Sequence, residues 1–263
     1  MITVQDIYDL LNQKAPFAYQ ESWDNSGLLV GRRNQQVTRV LTTLDITYDT
    51  IQQAKEQGCE LIVSHHPVIF SPLKQVTEGD YTAERVLRLG ECGIAAICCH
   101  TSLDAAPGGV NDVLAACCGL TQTVPLEQAG VDQQGSAYGI GRVGTLEQET
   151  TLENYLTFLT DQLHLPGLRY CCGTGKVHRV AVGGGACGSM MHLVLAAGCD
   201  TFVTADLKYD HFLEAKALGL NVIDAGHFDT ENPVMERVGQ WLKEAFPSLE
   251  VLAAHRMPPI SYR

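Results

Sequence analysis

Along much of this chain the apolar positions come in short unbroken blocks separated by stretches with helical spacing. Residues 61–63 and 93–99 are near-continuous runs of Leu, Ile, Val, Ala and Cys, the pattern of strands buried on both faces, and 37–44, with Val37, Val40, Leu41 and Leu44 among threonines, reads as a further strand. Between them lie segments whose apolar residues recur every three to four positions, at about 48–57 and 80–90, each followed or closed by a glycine (Gly58, Gly90) suited to ending a helix. A first helix is predicted over 3–14, with Thr3 as a possible N-cap and Val4, Ile7, Tyr8, Leu10 and Leu11 at helical spacing. Strand, helix, strand, helix, strand with continuous apolar strands predicts an α/β fold on a mostly parallel sheet.

Residues 121–175 interrupt this rhythm with a glycine-rich strand around 138–144 and an amphipathic helix over 151–163, read as a connector that packs on the core. The last third resumes the α/β pattern and repeats the first. Val37-Thr38-Arg39-Val40 matches Val177-His178-Arg179-Val180, Gly58-Cys59-Glu60 matches Gly198-Cys199-Asp200, and Val63-Ser64 matches Val203-Thr204, all at one offset of 140 residues. At a second offset of 127, 93–104 aligns with 220–231, which sets His100-x-x-x-Asp104 beside His227-x-x-x-Glu231. The expectation is one domain over 1–263, with two pseudo-symmetric βαβ-type halves at 1–120 and 176–263.

Polar chemistry sits where the apolar blocks stop. The run Leu61-Ile62-Val63-Ser64 ends in His65-His66-Pro67, and the other strand ends carry Asp45, His100 with Asp104, and His227 with Glu231. In parallel sheets, sites gather at the carboxyl ends of strands. Adjacent histidines at a strand end can face one crevice while reaching different atoms, which suits two ions better than one. His227 and Glu231, four apart, share one side of a first helical turn, and so do His100 and Asp104. His65, His66, His227, Asp104 and Glu231 therefore make a ligand set for a binuclear centre, with Glu231 able to bridge. Asp45 reads first as a helix N-cap. His100 reads as an orienting or proton-carrying neighbour, or as a sixth ligand. Asp206, at the repeat position of His66, reads as a supporting acid or a cap. His164, His178, His192, His211 and His255 have surface or packing roles, and Trp23 a packing role. The glycine-rich loop 183–188 could cradle a phosphate or serve tight strand–helix packing.

Composition narrows the partners. The 263 residues carry a formal net charge of −12, against the basic patches that nucleic acid or an anionic membrane surface selects. An anionic substrate stays compatible, because bound cations reverse the local field. No apolar run is long enough to span a membrane, and the N-terminus lacks the basic and apolar regions of a signal peptide, so a cytoplasmic protein is expected. The ten cysteines show no Cys-x-x-Cys spacing, and most sit in apolar contexts, as reduced, small buried side chains do.

Four segments, Trp23-Asp24-Asn25-Ser26-Gly27-Leu28-Leu29-Val30-Gly31, Ser64-His65-His66-Pro67-Val68-Ile69-Phe70, His100-Thr101-Ser102-Leu103-Asp104 and Asp224-Ala225-Gly226-His227-Phe228-Asp229-Thr230-Glu231, resemble the Nif-three-like dinuclear metal-centre proteins, often labelled GTP cyclohydrolase 1 type 2 homologues. The resemblance runs the length of the chain and is to the short form, without a central inserted domain. It implies metal ligation by His65, His66, Asp104, His227 and Glu231, with Glu231 touching both ions, and a toroidal homohexamer. Where the family usually shows Thr-Gly-Asp, this chain has Thr204-Ala205-Asp206.

The expected activity is that of a metal-dependent hydrolase: a water shared by two divalent ions ionises near neutral pH and attacks a nucleotide or related small molecule, in the cyclohydrolase version the imidazole carbon of a guanine nucleotide. His100 or Asp206 would carry protons. The alternative is a non-catalytic metal-handling or regulatory interaction protein that uses the same ligands. Nitrogen and carboxylate donors without thiolate suit zinc, iron, manganese, cobalt or nickel.

Overall fold

A computed structural model of the chain describes residues 1–255, 258–261 and 263. Two compact units emerge, one from Met1–Ala106 with 235–255, the other from Pro107–Val234. In chain order, the first contains α1 (Val4–Lys14), β1 (Gly27–Val30), β2 (Arg39–Thr43), α2 (Tyr48–Glu56), β3 (Leu61–Ser64), α3 (Tyr81–Glu91), β4 (Ala95–Cys98) and α4 (Thr101–Ala105). The second contains α5 (Val110–Cys117), β5 (Thr121–Val131), β6 (Ala137–Thr151), α6 (Leu152–Leu163), β7 (Arg169–Cys171), β8 (Lys176–Val182), α7 (Met191–Ala196), β9 (Thr201–Thr204), α8 (Tyr209–Leu218), β10 (Asn221–Asp224) and α9 (His227–Glu231). The chain then returns to the first unit with α10 (Val234–Ala245) and β11 (Glu250–Ala253).

The first sheet has the order β1-β4-β3-β2-β11, parallel except for β1 at its edge. Its register sets Thr43 opposite Ser64 and Ser64 opposite Cys98, so three strands end level and deliver the residues that follow to one edge. The inner strands are buried along their whole length, which is why their sequences do not alternate. Leu41, Ile62 and Ala96 form one core with Ile51 and Ala54 of α2 and Leu89 of α3.

The second sheet has the order β5-β6-β8-β9-β10-β7, with β8, β9 and β10 parallel and the others antiparallel. The segment 121–175, expected as a connector, supplies three of these six strands. A connector reading follows from loss of the α/β rhythm; the long β5–β6 pair is an antiparallel extension whose two-residue period was masked by its glycines. The amphipathic reading of α6 matches the structure: Leu152, Tyr155, Leu159 and Leu163 are buried, and the Tyr155 hydroxyl donates to the Cys118 carbonyl (3.1 Å).

Helix ends follow local chemistry. Thr3 and Asp6 form a reciprocal capping box on α1. The cap of α2 is Thr47, not Asp45, because Thr47 sits one residue before the helix and its hydroxyl accepts from Thr50 N. The stop expected at Gly90 falls at Gly93, whose φ of +68° turns the chain into β4.

The repeated motif builds the same latch in each unit. The Glu60 carboxylate accepts from the Thr38 and Arg39 amides (3.0 and 2.9 Å), and the Asp200 carboxylate accepts from the His178 and Arg179 amides (3.0 and 2.9 Å). Arg39 then donates to the Gln57 carbonyl and Arg179 to the Ala197 carbonyl, positions again 140 apart. Each latch ties the start of one strand to the start of its parallel neighbour.

Partial burial pushes the Glu60 pKa up, but the Arg39 and Thr38 amides and the Thr38 hydroxyl outweigh it and hold the group below its ordinary value. The stabilisation is therefore complete above the unfolded glutamate range, near pH ~4.3, and is lost as pH falls through the lower folded value. Glu60→Gln should lower the urea midpoint at pH 7, and the gap to wild type should close on acidification below about pH 4. A gap that stays constant from pH 7 to pH 3 would mean the carboxylate charge is not what the amides hold.

Candidate metal centre

In the first unit the level strand ends converge. Ser64 closes β3, and its hydroxyl donates to the His66 carbonyl (2.8 Å), turning the chain so that both following rings leave the strand direction. His65 is fully buried, with Nδ1 donating to the Cys99 carbonyl just past β4 (2.9 Å). His66 Nδ1 donates to Asp45 Oδ1 just past β2 (2.8 Å). His100 Nδ1 donates to Asp24 Oδ1 (2.7 Å). One ring nitrogen from each of His65, His66 and His100 lies within 4.8 Å of the others. Asp104, one turn into α4, places Oδ1 3.7 Å from His65 Nε2.

Asp24 carries more of this arrangement than its place in a polar turn implies. Its carboxylate is buried and accepts from His100 Nδ1, the Thr101 amide (3.0 Å), the Thr101 hydroxyl (2.6 Å), the Asn25 amide (2.7 Å) and the Ser26 hydroxyl (3.1 Å). Burial alone would raise its pKa, but the bonds from His100 and Thr101 win and hold it well below the usual carboxylate range. An ionised Asp24 thus stands behind His100 at neutral pH. Asp45 has the same place behind His66, which corrects its reading as a helix cap. In the sequence Asp24 is one more aspartate in a polar turn, and Asp45, though at a strand end, has the look of a cap.

The second unit repeats the theme. Gly226, with φ of +84°, lets the chain turn from β10 into α9, where His227 is the first helical residue. His227 Nδ1 donates to Asp206 Oδ2 (2.7 Å), and its Nε2 lies 3.1 Å from Oε2 of the buried Glu231. Asp206 itself has a left-handed backbone, φ +54°, a conformation aspartate tolerates better than most residues. The turn is held by Ala205 N donating to the Gly185 carbonyl (2.9 Å) and Leu207 N donating to Asp224 Oδ2 (3.0 Å), with Arg169 also bound to Asp224. Alanine at 205 is accommodated, because the left-handed residue is 206.

Loop 183–188 serves packing. The amides of Gly183, Gly184, Gly185 and Cys187 donate to Val203 O, Asn111 Oδ1, Thr230 Oγ1 and Thr204 Oγ1, so they are committed within the fold and do not form a phosphate cradle. Gly185 is needed for another reason. A Cβ there would stand 2.2 Å from Glu231 Oε1 and 3.2 Å from His227 Nε2, at a φ of +66°. The bare backbone lets Glu231 and His227 keep their places.

Of the sequence-selected residues, His65, His66, His100 and Asp104 lie in the first unit, and Asp206, His227 and Glu231 in the second. Among the described residues, His164, His178, His192, His211 and His255 belong to no group that could hold an ion. Trp23, expected to pack, is 58% exposed.

A sequence model described as Duf34/NIF3 (NGG1p interacting factor 3) matches residues 2–258. A Clostridium perfringens protein named GTP cyclohydrolase 1 type 2 homolog is 32% identical over 246 residues, covering 93% of each chain. A Streptomyces coelicolor protein of the same name is 33% identical over 240 residues, covering 90% of this chain and 84% of the relative. A crystal structure of a hypothetical protein from Staphylococcus aureus superposes with a TM-score of 0.91 at 29% identity over 99% of both chains. A Bacillus cereus protein related to NIF3 shares the fold, with a TM-score of 0.94 at 22% identity over 100% of this chain and 99% of that one.

Gly185→Ala should move the Glu231 carboxylate while leaving both sheets in place. The expected result is an unchanged far-ultraviolet circular dichroism spectrum with zinc uptake, measured by calorimetry, reduced at least tenfold in affinity. Wild-type zinc affinity in this variant would show that the close approach at 185 is incidental to the site.

Proposed function

Because this chain belongs to the Duf34/NIF3 family, we propose that it holds two divalent metal ions and hydrolyses a nucleotide or related small anionic molecule. His65, His66, Asp104, His227 and Glu231 are the ligands. The observation that carries this reading is the state of the imidazoles: in His65, His66 and His227, Nδ1 is engaged by a carbonyl or carboxylate, which fixes the tautomer that offers Nε2 to a metal. The donor spacings support it. Two ligands each about 2.1 Å from one tetrahedral ion stand about 3.4 Å apart. The His227–Glu231 and His65–Asp104 separations, 3.1 and 3.7 Å, bracket that value. Glu231 has a second carboxylate oxygen with which to bridge.

Bound there, two divalent ions supply positive charge for an anionic substrate and bring the ionisation of water toward neutral pH. The chain's own residues do the rest. Glu231 and His65 are buried, so they hold their donors in fixed places. His100 Nε2 can accept a proton, and Asp24, kept ionised, stabilises the imidazolium that results. Asp206 orients His227 in this scheme, which leaves His100 as the proton carrier. His100 stands beyond the five ligands, and a proton carrier beside the centre favours the hydrolase over the metal-handling alternative. Zinc, iron, manganese, cobalt and nickel all suit the donors. A homohexameric ring and a cytoplasmic location belong to the same proposal. Among the described residues no helix is long and apolar enough to cross a membrane.

Elemental analysis of protein purified without added metal should find two equivalents per chain in wild type and at most one in His66→Ala. Against a nucleotide panel, wild type should turn over and His66→Ala should not. His100→Ala should keep both metals and lose about 10²- to 10⁴-fold in rate. Equal turnover by wild type and His66→Ala removes the hydrolase reading, and equal metal content removes the centre.

A further inference from the structure

The loop before β1 is built inside out. The polar residues after Trp23 are turned to the fold: Asp24 is held by His100 and Thr101, the Ser26 amide donates to Gln20 Oε1 (2.8 Å), the Ser26 hydroxyl accepts from the His100 amide (3.0 Å), and Asn25 Nδ2 donates to the Ile69 carbonyl (2.6 Å). Its one large apolar residue faces out. Trp23 is 58% exposed, and Phe70, next to the anchored Ile69, is 51% exposed. Burying rings of this size ordinarily stabilises a fold. Here a polar frame holds them away from the core instead.

The two rings stand beside the histidine cluster. Trp23 and Phe70 have centroids 5.9 Å apart with planes tilted by 57°, and each meets the His100 ring edge-on at 6.1 Å. His100 in turn lies 5.3 Å from the His65 ring and 5.6 Å from the His66 ring. A third ring sandwiched between Trp23 and Phe70 would need about 7 Å, two contact distances. The space between them is therefore too small for a third ring, and the surface on offer is that of the exposed Trp23 itself.

We propose that Trp23, with Phe70 as its side wall, is a stacking platform for a planar heteroaromatic ring, and that the substrate is a molecule carrying such a ring next to an anionic group. This rests on the metal-centre reading above and names its substrate class. The ring lies on Trp23 while the remainder of the molecule reaches toward His65, His66 and His100. Stacking on an indole tolerates many bases, because each has a π face. Specificity for one base would have to come from polar groups at its edge.

Calorimetry on metal-loaded protein, with adenosine and guanosine 5′-monophosphates and ribose 5-phosphate as probes, tests this, with metal content measured on the same samples. Wild type should bind both nucleotides more tightly than the sugar phosphate. Trp23→Ala should weaken nucleotide binding by about 5- to 150-fold, the range of one base stacked on one aromatic ring. It should leave ribose 5-phosphate affinity and metal content unchanged, and Trp23→Phe should restore most of the loss. Wild type that treats nucleotides and ribose 5-phosphate alike overturns the inference. So does Trp23→Ala that binds nucleotides as wild type does, or loses all three probes equally. Wild-type protein without metal would instead sink the reading on which this one stands.

Discussion

The arrangement rests on one interaction, a hydrogen bond from Nδ1 of an imidazole at a strand or helix end to an oxygen on a neighbouring element. It occurs at His65 with Cys99 O, at His66 with Asp45, at His100 with Asp24 and at His227 with Asp206. A carbonyl or carboxylate accepts, so Nδ1 carries a proton and the neutral ring keeps its lone pair on Nε2. Each bond also fixes the ring plane. The fold thereby converts backbone register, which sets Thr43, Ser64 and Cys98 level, into chemical register among imidazole nitrogens. Take away the level strand ends, and the acceptors no longer stand behind the rings.

The same solution is used twice. Glu60 and Asp200 tie paired strand starts in the same way, and His100 and His227 each begin a five-residue helix with an acid behind Nδ1 and a carboxylate four residues on. The two copies have diverged where the surroundings differ. In the first unit the second histidine of the pair, His66, occupies the position that Asp206 fills in the second, so one unit presents three rings and the other a ring with an orienting acid. The second unit relies on glycine: at Gly185 a Cβ would crowd Glu231 and His227, and Gly226 takes the positive φ that leads into α9.

Much of this was legible in the residues. Continuous apolar runs named β2, β3 and β4, and the histidines at their ends named the site, because strand ends in a parallel sheet are where side chains can converge. The offsets of 140 and 127 anticipated the Glu60–Asp200 and His100–His227 correspondences. What stayed hidden were groups whose role depends on partners distant in sequence. Asp24 lies 76 residues from His100, and Asp45 lies 21 from His66, and nothing local separates them from ordinary turn or cap aspartates. The β5–β6 pair was obscured because glycines at 139, 141 and 144 dilute the alternation of a strand. Trp23 was read as packing since most tryptophans are; its exposure follows from the polar frame around it.

Anomalous diffraction from crystals of the metal-loaded protein tests the central claim most directly. It should show two peaks about 3.5–4 Å apart, with Nε2 of His65, His66 and His227 as the coordinating nitrogens, and each Nδ1 still bonded to Cys99, Asp45 and Asp206. Peaks bound through Nδ1, or no peak within coordinating distance of these three rings, would contradict the account.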